Sequence, residues 1–500
     1  MVLYIVTSCL TLSILGIMWL ILKIYTIYNY WKERNVYTWT PHFLFGNSKD
    51  AVLQRIPLGF DVTALYHDLK SRSAKYGGYY SFLTPVFIPV DLDLIKKILI
   101  SNSDCFVDRV SYVDEQNDPL SVNLLHAHGE TWKRFRAKIS PSFSNSKIKT
   151  FLPIMMAKNR DLIRLIEETV KKAEPLNVKE VLDRYTIDVV GLYTCGTDLG
   201  TLTCKDSELK HQLAEFFNTS AVNSLIRFLI TAPKILKYLK IMTFTKKVTK
   251  FFMTLINDII QNRNQNESRG TVALDILMKA ERTDSSGEKF TRSEIVSNIA
   301  ILLLAGYETT SNALTFCLYE LASDVTLQET LRSEINTLDS NPSYDDIASL
   351  SLLNKCVNET LRKYPLGTVY TRECTKTFHV PNSNIILEKG AHVYIPIRGI
   401  QWDPEYFPDP ETFNPERFSK EHISERHPCM WFPFGLGPRH CVGEKFGFIT
   451  IKIVLVNLLK TYKFFLHPKT QSPLRYDVNA FVLQAENGVF LNVEKIEVPT

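Results

Sequence analysis

The sequence predicts a mainly α-helical protein with a smaller β region, carried on an N-terminal transmembrane helix and built around one long buried helix. Three observations carry this. Val2 to Leu22 is a run of twenty-one residues without a charge. Glu130 to about Phe252 reads as mostly helical, and a second helical run, apolar on every face in its middle, follows near Thr291. Strand-like stretches are split between the beginning and the end of the chain. The composition, 45% hydrophobic and 22% charged, is that of a globular protein with a large core. A net charge of +5 over 500 residues, with no Lys/Arg block of five or more, argues against a nucleic-acid partner.

At 1.5 Å per residue the first apolar run reaches about 30 Å, enough to cross a bilayer core. Lys23, Lys32 and Arg34 follow it, and Tyr25, Tyr28, Tyr30 and Trp31 are placed like an interfacial aromatic belt. The positive-inside rule puts residues 32–500 in the cytoplasm, and basic charge after the run argues against a cleaved signal peptide. Residues 1–23 are thus expected to be a signal-anchor and 24–50 a linker, with Pro41 and Gly46 as breakers. No Gly/Ser- or Pro-rich linker divides 51–500, which reads as one catalytic domain. Nine scattered cysteines, none in a C-x-x-C pair, fit a reducing compartment rather than a disulfide scaffold or a zinc site.

Tyr79 to Val90 has strand composition, interrupted by Pro85 and Pro89. Leu225–Phe252 mixes apolar and basic residues like a surface resting on a membrane. Gln261–Gly270 reads as an exposed loop. Thr291 with Glu294 forms a capping box that opens a helix running to about Ser323. A shorter helix stops near Lys363–Tyr364, before Pro365. Tyr370–Val380, Ile385–Leu387, Val393–Ile397 and parts of 474–494 look like strands, and a helix spans about Val442 to Thr461.

Chemistry is concentrated in Phe432 to Gly443. Cys441 sits just before a helix, where backbone N–H groups and the helix dipole favour a thiolate. Gly435, Gly437 and Gly443 allow tight turns and close approach of a flat ligand. Phe434 can pack beside the sulfur, and Arg439 can pair with a carboxylate. The spacing F-x-x-G-x-R-x-C-x-G, filled by Phe434, Gly437, Arg439, Cys441 and Gly443, resembles the cysteine-ligand signature of the cytochrome P-450 family.

Four other features resemble that family in the same order along the chain. Trp132 and Arg136 share a helix face, Glu359 and Arg362 pair at i, i+3, and Arg417 stands in Pro415–Phe418. Ala305-Gly306-Tyr307-Glu308-Thr309 interrupts an otherwise apolar core helix, where polar groups need a use. The resemblance implies a cytochrome P-450 fold, with haem b (iron protoporphyrin IX) between the long helix and the Cys441 loop. It implies Trp132, Arg136, Arg372 and Arg439 as propionate partners, with Arg109 a weaker candidate of the same kind. Glu359, Arg362 and Arg417 become a buried ion network, and Ala305 lies over the haem. Glu308 and Thr309 would deliver protons to bound oxygen, with Thr309 disturbing the helix ladder. Leu125, Phe216, Thr368, Val369 and Val482 would line an apolar substrate pocket.

The implied reaction is that of a monooxygenase: substrate, O2, two electrons and two protons give hydroxylated product and water. No flavin or nicotinamide motif is present, so electrons would come from a membrane-bound NADPH-dependent flavoprotein reductase, with cytochrome b5 as a further donor. Lys133, Arg134, Lys138 and Lys445 are candidates to meet its acidic surface. Ser140–Ser144 and the acidic Glu308 look most like insect microsomal members, which act on plant toxins, insecticides and endogenous lipids at the endoplasmic reticulum membrane. The proline-rich hinge usual after the anchor is reduced here to Pro41. Two alternatives are an O2-independent haem-thiolate isomerase or dehydratase and a non-enzymatic haem sensor or carrier. Neither needs the Glu308–Thr309 pair.

Overall fold

The computed structural model describes residues 2–204, 207–217, 238, 241–265, 272–282 and 289–497. Val2–Tyr28 is a 27-residue helix whose apolar side chains stand exposed from Tyr4 to Leu22. Among the described residues it is the one helix long and apolar enough to cross a membrane. It continues beyond Leu22 to Tyr28, where the chain meets the body.

The segment after it packs more closely than a linker. Trp31 is 2% exposed, and its indole N–H donates to the Tyr79 carbonyl at 3.2 Å. A Cβ on Gly78 would lie 2.4 Å from the Trp31 ring, so glycine there makes room for the indole. The Tyr28 hydroxyl donates to the carbonyl of His42 at 3.0 Å. Trp31 and Tyr28 therefore dock the anchor on the body, and within the expected aromatic belt Tyr25 stands free at 65% exposure.

Tyr76–Ser81 (β1) and Thr84–Pro89 (β2) form an antiparallel hairpin. Pro85 and Pro89 both lie within β2, whose other edge pairs in parallel with His392–Ile395 (β4) over Val86 and Phe87 alone. Tyr370–Glu373 (β3) completes this sheet antiparallel to β4. The expected strand Tyr370–Val380 is broken, with Phe378–His379 pairing instead with Ile386–Leu387. The expected strand Val393–Ile397 stops before Pro396, and Ile397–Gln401 turns helical. A third sheet joins distant parts of the chain: Leu176–Asn177 pairs with Phe490–Lys495, which pairs with Tyr462–Leu466. Tyr462–Leu466 follows directly on the helix Glu444–Thr461, with no Gly or Pro to mark the change.

Helices make up the remainder, among them Gly129–Ile139, Asn145–Lys171, Val178–Cys195, Glu208–Phe217 and Lys246–Gln265. The last runs through the segment expected as a loop as far as Gln265; residues 266–270 lie outside the described residues. Most of the surface proposed to rest on a membrane, 225–237 and 239–240, also lies outside them.

Arg292–Ser323 is the central helix, 32 residues long. Its capping box is present: the Glu294 N–H donates to the Thr291 hydroxyl at 3.2 Å, and Glu294 Oε2 accepts from the Thr291 N–H at 2.9 Å. Its side chains are buried from Glu294 to Ala322 except at Ala305, Gly306 and Thr309. It packs along Val178–Cys195 on one side and against Glu444–Thr461 on another. A helix buried all round must traverse a core, and this one carries the largest hydrophobic cluster along its length.

Candidate active site

The loop before Glu444–Thr461 is shaped by backbone requirements. Gly435 and Gly437 have φ of 80° and 71°, the left-handed region that glycine adopts without strain. At Gly437 a Cβ would lie 1.8 Å from the Leu99 carbonyl oxygen, a backbone atom with no freedom to retreat. Gly443 differs from expectation. Its φ of −91° suits any residue, and a Cβ there would sit 3.9 Å from the Cys441 sulfur. Its small size leaves the space beside the thiol open.

The Cys441 N–H donates to the Phe434 carbonyl at 2.8 Å, closing the loop, while the Phe434 ring meets Phe448 at 4.8 Å. Cys441 is accessible at its surface although protein surrounds it, as a side chain facing an interior cleft must be. Burial pushes the thiol pKa up; the Gly443 N–H, Arg109 and Arg136 oppose that shift, and Glu444 adds to it.

Arginines gather round this loop. Arg439 is 4% exposed; Nε donates to the Val107 carbonyl at 2.6 Å, and Nη2 to Asp108 at 3.1 Å and Ala127 at 2.8 Å. Its guanidinium lies 4.0 Å from the centre of the buried Trp132 ring. Its Nη1 is buried without a partner. Arg109 Nη2 donates to the Arg439 carbonyl at 3.0 Å. Arg372, on β3, donates to the Thr371 carbonyl at 2.8 Å. Burial and then Arg109 lower both Arg372 and Arg439 to about 9. Arg136 Nη1 donates to the His440 carbonyl at 2.7 Å, fixing the residue before the cysteine.

Arg109, Arg372 and Arg439 thus share a buried region in which the ion pair at 3.1 Å is Asp108 with Arg439. Such an excess of guanidinium, one N–H of it unsatisfied, suits a ligand with carboxylates. Among the described residues no three His, Cys, Asp or Glu side chains converge to hold a bare metal ion. A single thiol suits a metal whose remaining positions are filled by its own macrocycle, and haem, with two propionates, fits this donor set.

The central helix supplies the facing wall. Asn298, Ala305 and Thr309 follow at intervals of seven and four residues and so share a helix face. Asn298 Oδ1 accepts the Leu124 N–H at 2.8 Å, and the Arg109 side chain reaches the Leu125 carbonyl at 3.5 Å. Loop 122–125 thereby bridges the central helix and the Cys441 loop. The Thr309 hydroxyl donates to the Ala305 carbonyl at 2.7 Å, and the helix continues through both residues without a break.

Glu308 points elsewhere. Its Oε1 lies 3.1 Å from the Lys179 ammonium and accepts from Asn312 at 3.1 Å. Lys179 also bonds Asp183 at 2.8 and 3.0 Å, and Ser311 donates to Asp183. Sequence reading missed this buried cluster. Its signal was Lys179 and Asp183, one helical turn apart in Val178–Cys195.

The ion network behind the loop is complete. Arg362 forks onto Glu359 with two bonds of 2.8 Å, both side chains fully buried. Arg417 lies 3.4 Å from Glu359, and the Asn414 N–H donates to the same carboxylate at 2.9 Å. Arg362 also reaches the carbonyls of Gln401 at 3.2 Å and Thr412 at 3.4 Å. Removing one member of such a pair strands a buried charge, at a cost of about 3–5 kcal/mol.

The proposed pocket residues divide. Leu125, Phe216 and Val482 pack with the cluster that surrounds the central helix. Val369 packs with the cluster around the first sheet. The Thr368 hydroxyl donates to the Leu58 carbonyl at 2.7 Å, and both Thr368 and Val369 press against Gly59. Of the basic residues proposed to meet a partner, Arg134 bonds Glu294 at 3.1 Å and is largely buried, so it is not free to do so. Lys445 is exposed.

Comparison with known proteins agrees with this geometry. The profile of the family described as cytochrome P450 matches residues 40–492. Similar proteins include cytochrome P450 6a2 of Drosophila melanogaster, 31% identical over 94% of this chain and 96% of its own length. Cytochrome P450 6A1 of Musca domestica is 30% identical over 94% of each chain. Cytochrome P450 6j1 of Blattella germanica is 31% identical over 94% of each.

The two glycines of the loop should behave differently. Gly437→Ala is expected to displace the loop and lower the thermal midpoint by several degrees, since backbone meets backbone. Gly443→Ala should leave both the midpoint and haem retention nearly unchanged, because its Cβ would rest in ordinary contact 3.9 Å from the sulfur. Thermal unfolding and haem content of the two purified variants check both.

Proposed function

The chain belongs to the cytochrome P450 family of haem-thiolate monooxygenases, and from that premise we propose that it inserts one atom of O2 into a lipophilic substrate with electrons from an NADPH-dependent flavoprotein reductase. The observation that carries this reading is the set of accessible positions Ala305, Gly306 and Thr309 on an otherwise buried helix, tied through loop 122–125 to the Cys441 loop. Haem b, when bound, supplies an iron that activates oxygen, and donation from a thiolate favours cleavage of the O–O bond. Cys441 would be the ligand, giving up its thiol proton despite burial, with Arg109, Arg136 and the Gly443 N–H helping to hold the resulting charge. Trp132, Arg109, Arg372 and Arg439 would hold the propionates, Arg439 through its unpartnered Nη1.

Thr309 and Glu308 divide the proton work. The Thr309 hydroxyl, with its proton committed to the Ala305 carbonyl, presents its oxygen as an acceptor and holds a water in the cleft. Glu308 takes protons from the Lys179–Asp183 side and reaches the cleft by changing rotamer. Leu125, Phe216 and Val482 give an apolar lining that selects lipophilic compounds, with plant toxins, insecticides and endogenous lipids the proposed classes.

Val2–Tyr28 is proposed as an endoplasmic reticulum anchor, with residues 51–500 a single catalytic unit on the cytoplasmic side. Lys445, Lys133 and Lys138 would meet the reductase, and cytochrome b5 would use the same residues. Removing residues 2–22 should move the protein from the membrane pellet to the supernatant at high salt, with haem content unchanged. Unchanged pelleting would reject this helix as the anchor.

Catalysis is tested by measuring NADPH, peroxide and product together in the presence of reductase and a substrate with no hydroxyl of its own. Thr309→Ala should keep consuming NADPH while product per NADPH falls and peroxide rises. Glu308→Gln should slow all three, by about 100-fold if proton delivery limits the cycle. A Thr309→Ala enzyme that couples as tightly as its parent contradicts the assigned role.

A further inference from the structure

The loop from Val107 to His128 is held to its surroundings at three places. Near the cysteine, Arg439 takes the carbonyls of Val107 and Ala127. In the middle, Ser297 donates to the Val122 carbonyl and Asn298 accepts from Leu124. At the outer edge stands Asp118, whose side chain is fully buried. Its Oδ2 accepts two successive backbone N–H groups, from Thr243 at 2.7 Å and Phe244 at 3.0 Å. Its Oδ1 is buried without a hydrogen-bond partner.

What Asp118 grips is a roof. Phe244 is 2% exposed; its ring stacks on Phe216 at 5.0 Å and meets His126 edge-on at 6.2 Å. Phe217, beside Phe216, meets Tyr307 of the central helix at 5.6 Å. A chain of contacts thus runs from the loop through Phe244 and Phe216–Phe217 to the helix that walls the cleft. The grips at Ser297 and Asn298 are neutral and lie on the rigid central helix. The grip at Asp118 joins the loop to the segment leading into Lys246–Gln265 and hangs on a single carboxylate oxygen.

We propose that Asp118 is a positioning residue that clasps this loop to residues 243–244, and that release of the clasp admits bulky ligands to the cleft. The proposal rests on reading the cleft as the haem and substrate site. Holding a carboxylate in this setting depends on its charge. Burial, with Asp114 adding, raises the Asp118 pKa to about 6 against the pull of the Phe244, Thr243 and Ser121 N–H groups. The titratable groups about it are Asp114 and Tyr112 on its own loop, the latter bonded to Asp114 at 2.9 Å, and His126 beyond Phe244. Burial and then Arg109 push His126 down to about 3, so it stays neutral. On the donor side Lys247 is paired with Glu215 at 3.1 Å.

The sign follows from linkage. A released Asp118 in water returns to the ordinary value of 3.8, below its value of about 6 in the clasp. Proton binding therefore favours the closed clasp. Opening becomes easier as pH rises through the interval between those values, and levels off above it. Between pH 5.5 and 7.5 the open fraction should rise roughly fourfold.

The test uses the haem-loaded full-length protein and follows 4-phenylimidazole exchange at the Soret band, with imidazole as a small control. The parent should exchange 4-phenylimidazole roughly fourfold faster at pH 7.5 than at 5.5, relative to Asp118→Asn at the same pH. Asp118→Asn keeps an uncharged acceptor oxygen and should be slow at both. Asp118→Ala should be faster by about tenfold, at both pH values, for want of an acceptor. Imidazole rates should not separate the three proteins. Hydrogen exchange of the peptide spanning 241–252, read without ligand, should rise in Asp118→Ala. If neither azole shifts the Soret band, the haem reading fails, and peptide exchange alone decides the clasp. A parent that follows Asp118→Asn at both pH values, or peptide exchange unchanged in Asp118→Ala, overturns the proposal.

Discussion

An anionic sulfur inside a protein is costly, and the proposal that Cys441 carries one makes the groups that offset that cost the constraint on which the rest of the site depends. Desolvation of a charge costs several kcal/mol unless opposite charge and hydrogen bonds offset it. The loop brings the Gly443 N–H toward the sulfur at a helix start, and Arg109 and Arg136 add positive charge. Those arginines are themselves placed by backbone carbonyls: Arg109 by Arg439 and Leu125, Arg136 by His440. Geometry and charge are therefore one requirement. A loop able to present Cys441 is also a loop that binds its own counter-ions.

The same requirement explains the polar content of the core. Glu359 and Arg362 are fully buried, and their bonds extend to Gln401, Thr412 and Asn414. These lie on the irregular stretch that leads to the cysteine loop, where no strand or long helix holds the backbone. A buried ion network fixes such a stretch without a sheet, and a well-packed apolar cluster of the same volume would stabilise it with less direction. Along the central helix the two polar neighbours serve opposite sides. Thr309 faces accessible space, while Glu308 joins Lys179 and Asp183 on the adjoining helix. Successive residues on a helix are about 100° apart, which lets one segment serve both environments.

Features that depend on neighbours in sequence were legible from the residues. The helix start at Thr291, the Glu359–Arg362 pair and the turns at Gly435 and Gly437 appear as read, because capping, i, i+3 pairing and glycine turns are local chemistry. What escaped depends on contacts made across the fold. Lys179 meets Glu308, Asp118 meets Thr243, and Trp31 enters a notch left by Gly78. Tyr462–Leu466 becomes a strand only because Phe490–Lys495 lies alongside it. Arg109, weakly marked in sequence, contacts the Arg439 backbone directly, and Arg134, which reads as free surface charge, is held by Glu294.

The central claim is that Cys441 supplies the thiolate ligand. It is tested most directly by the absorption spectrum of the reduced, CO-treated protein with Cys441→Ser beside its parent. The parent should show the red-shifted Soret band of a thiolate–iron–CO complex, and the serine variant should lack it while keeping its helical content. If the serine variant retains that band, another thiol binds the iron, and the arrangement of charge around the Cys441 loop has a different purpose.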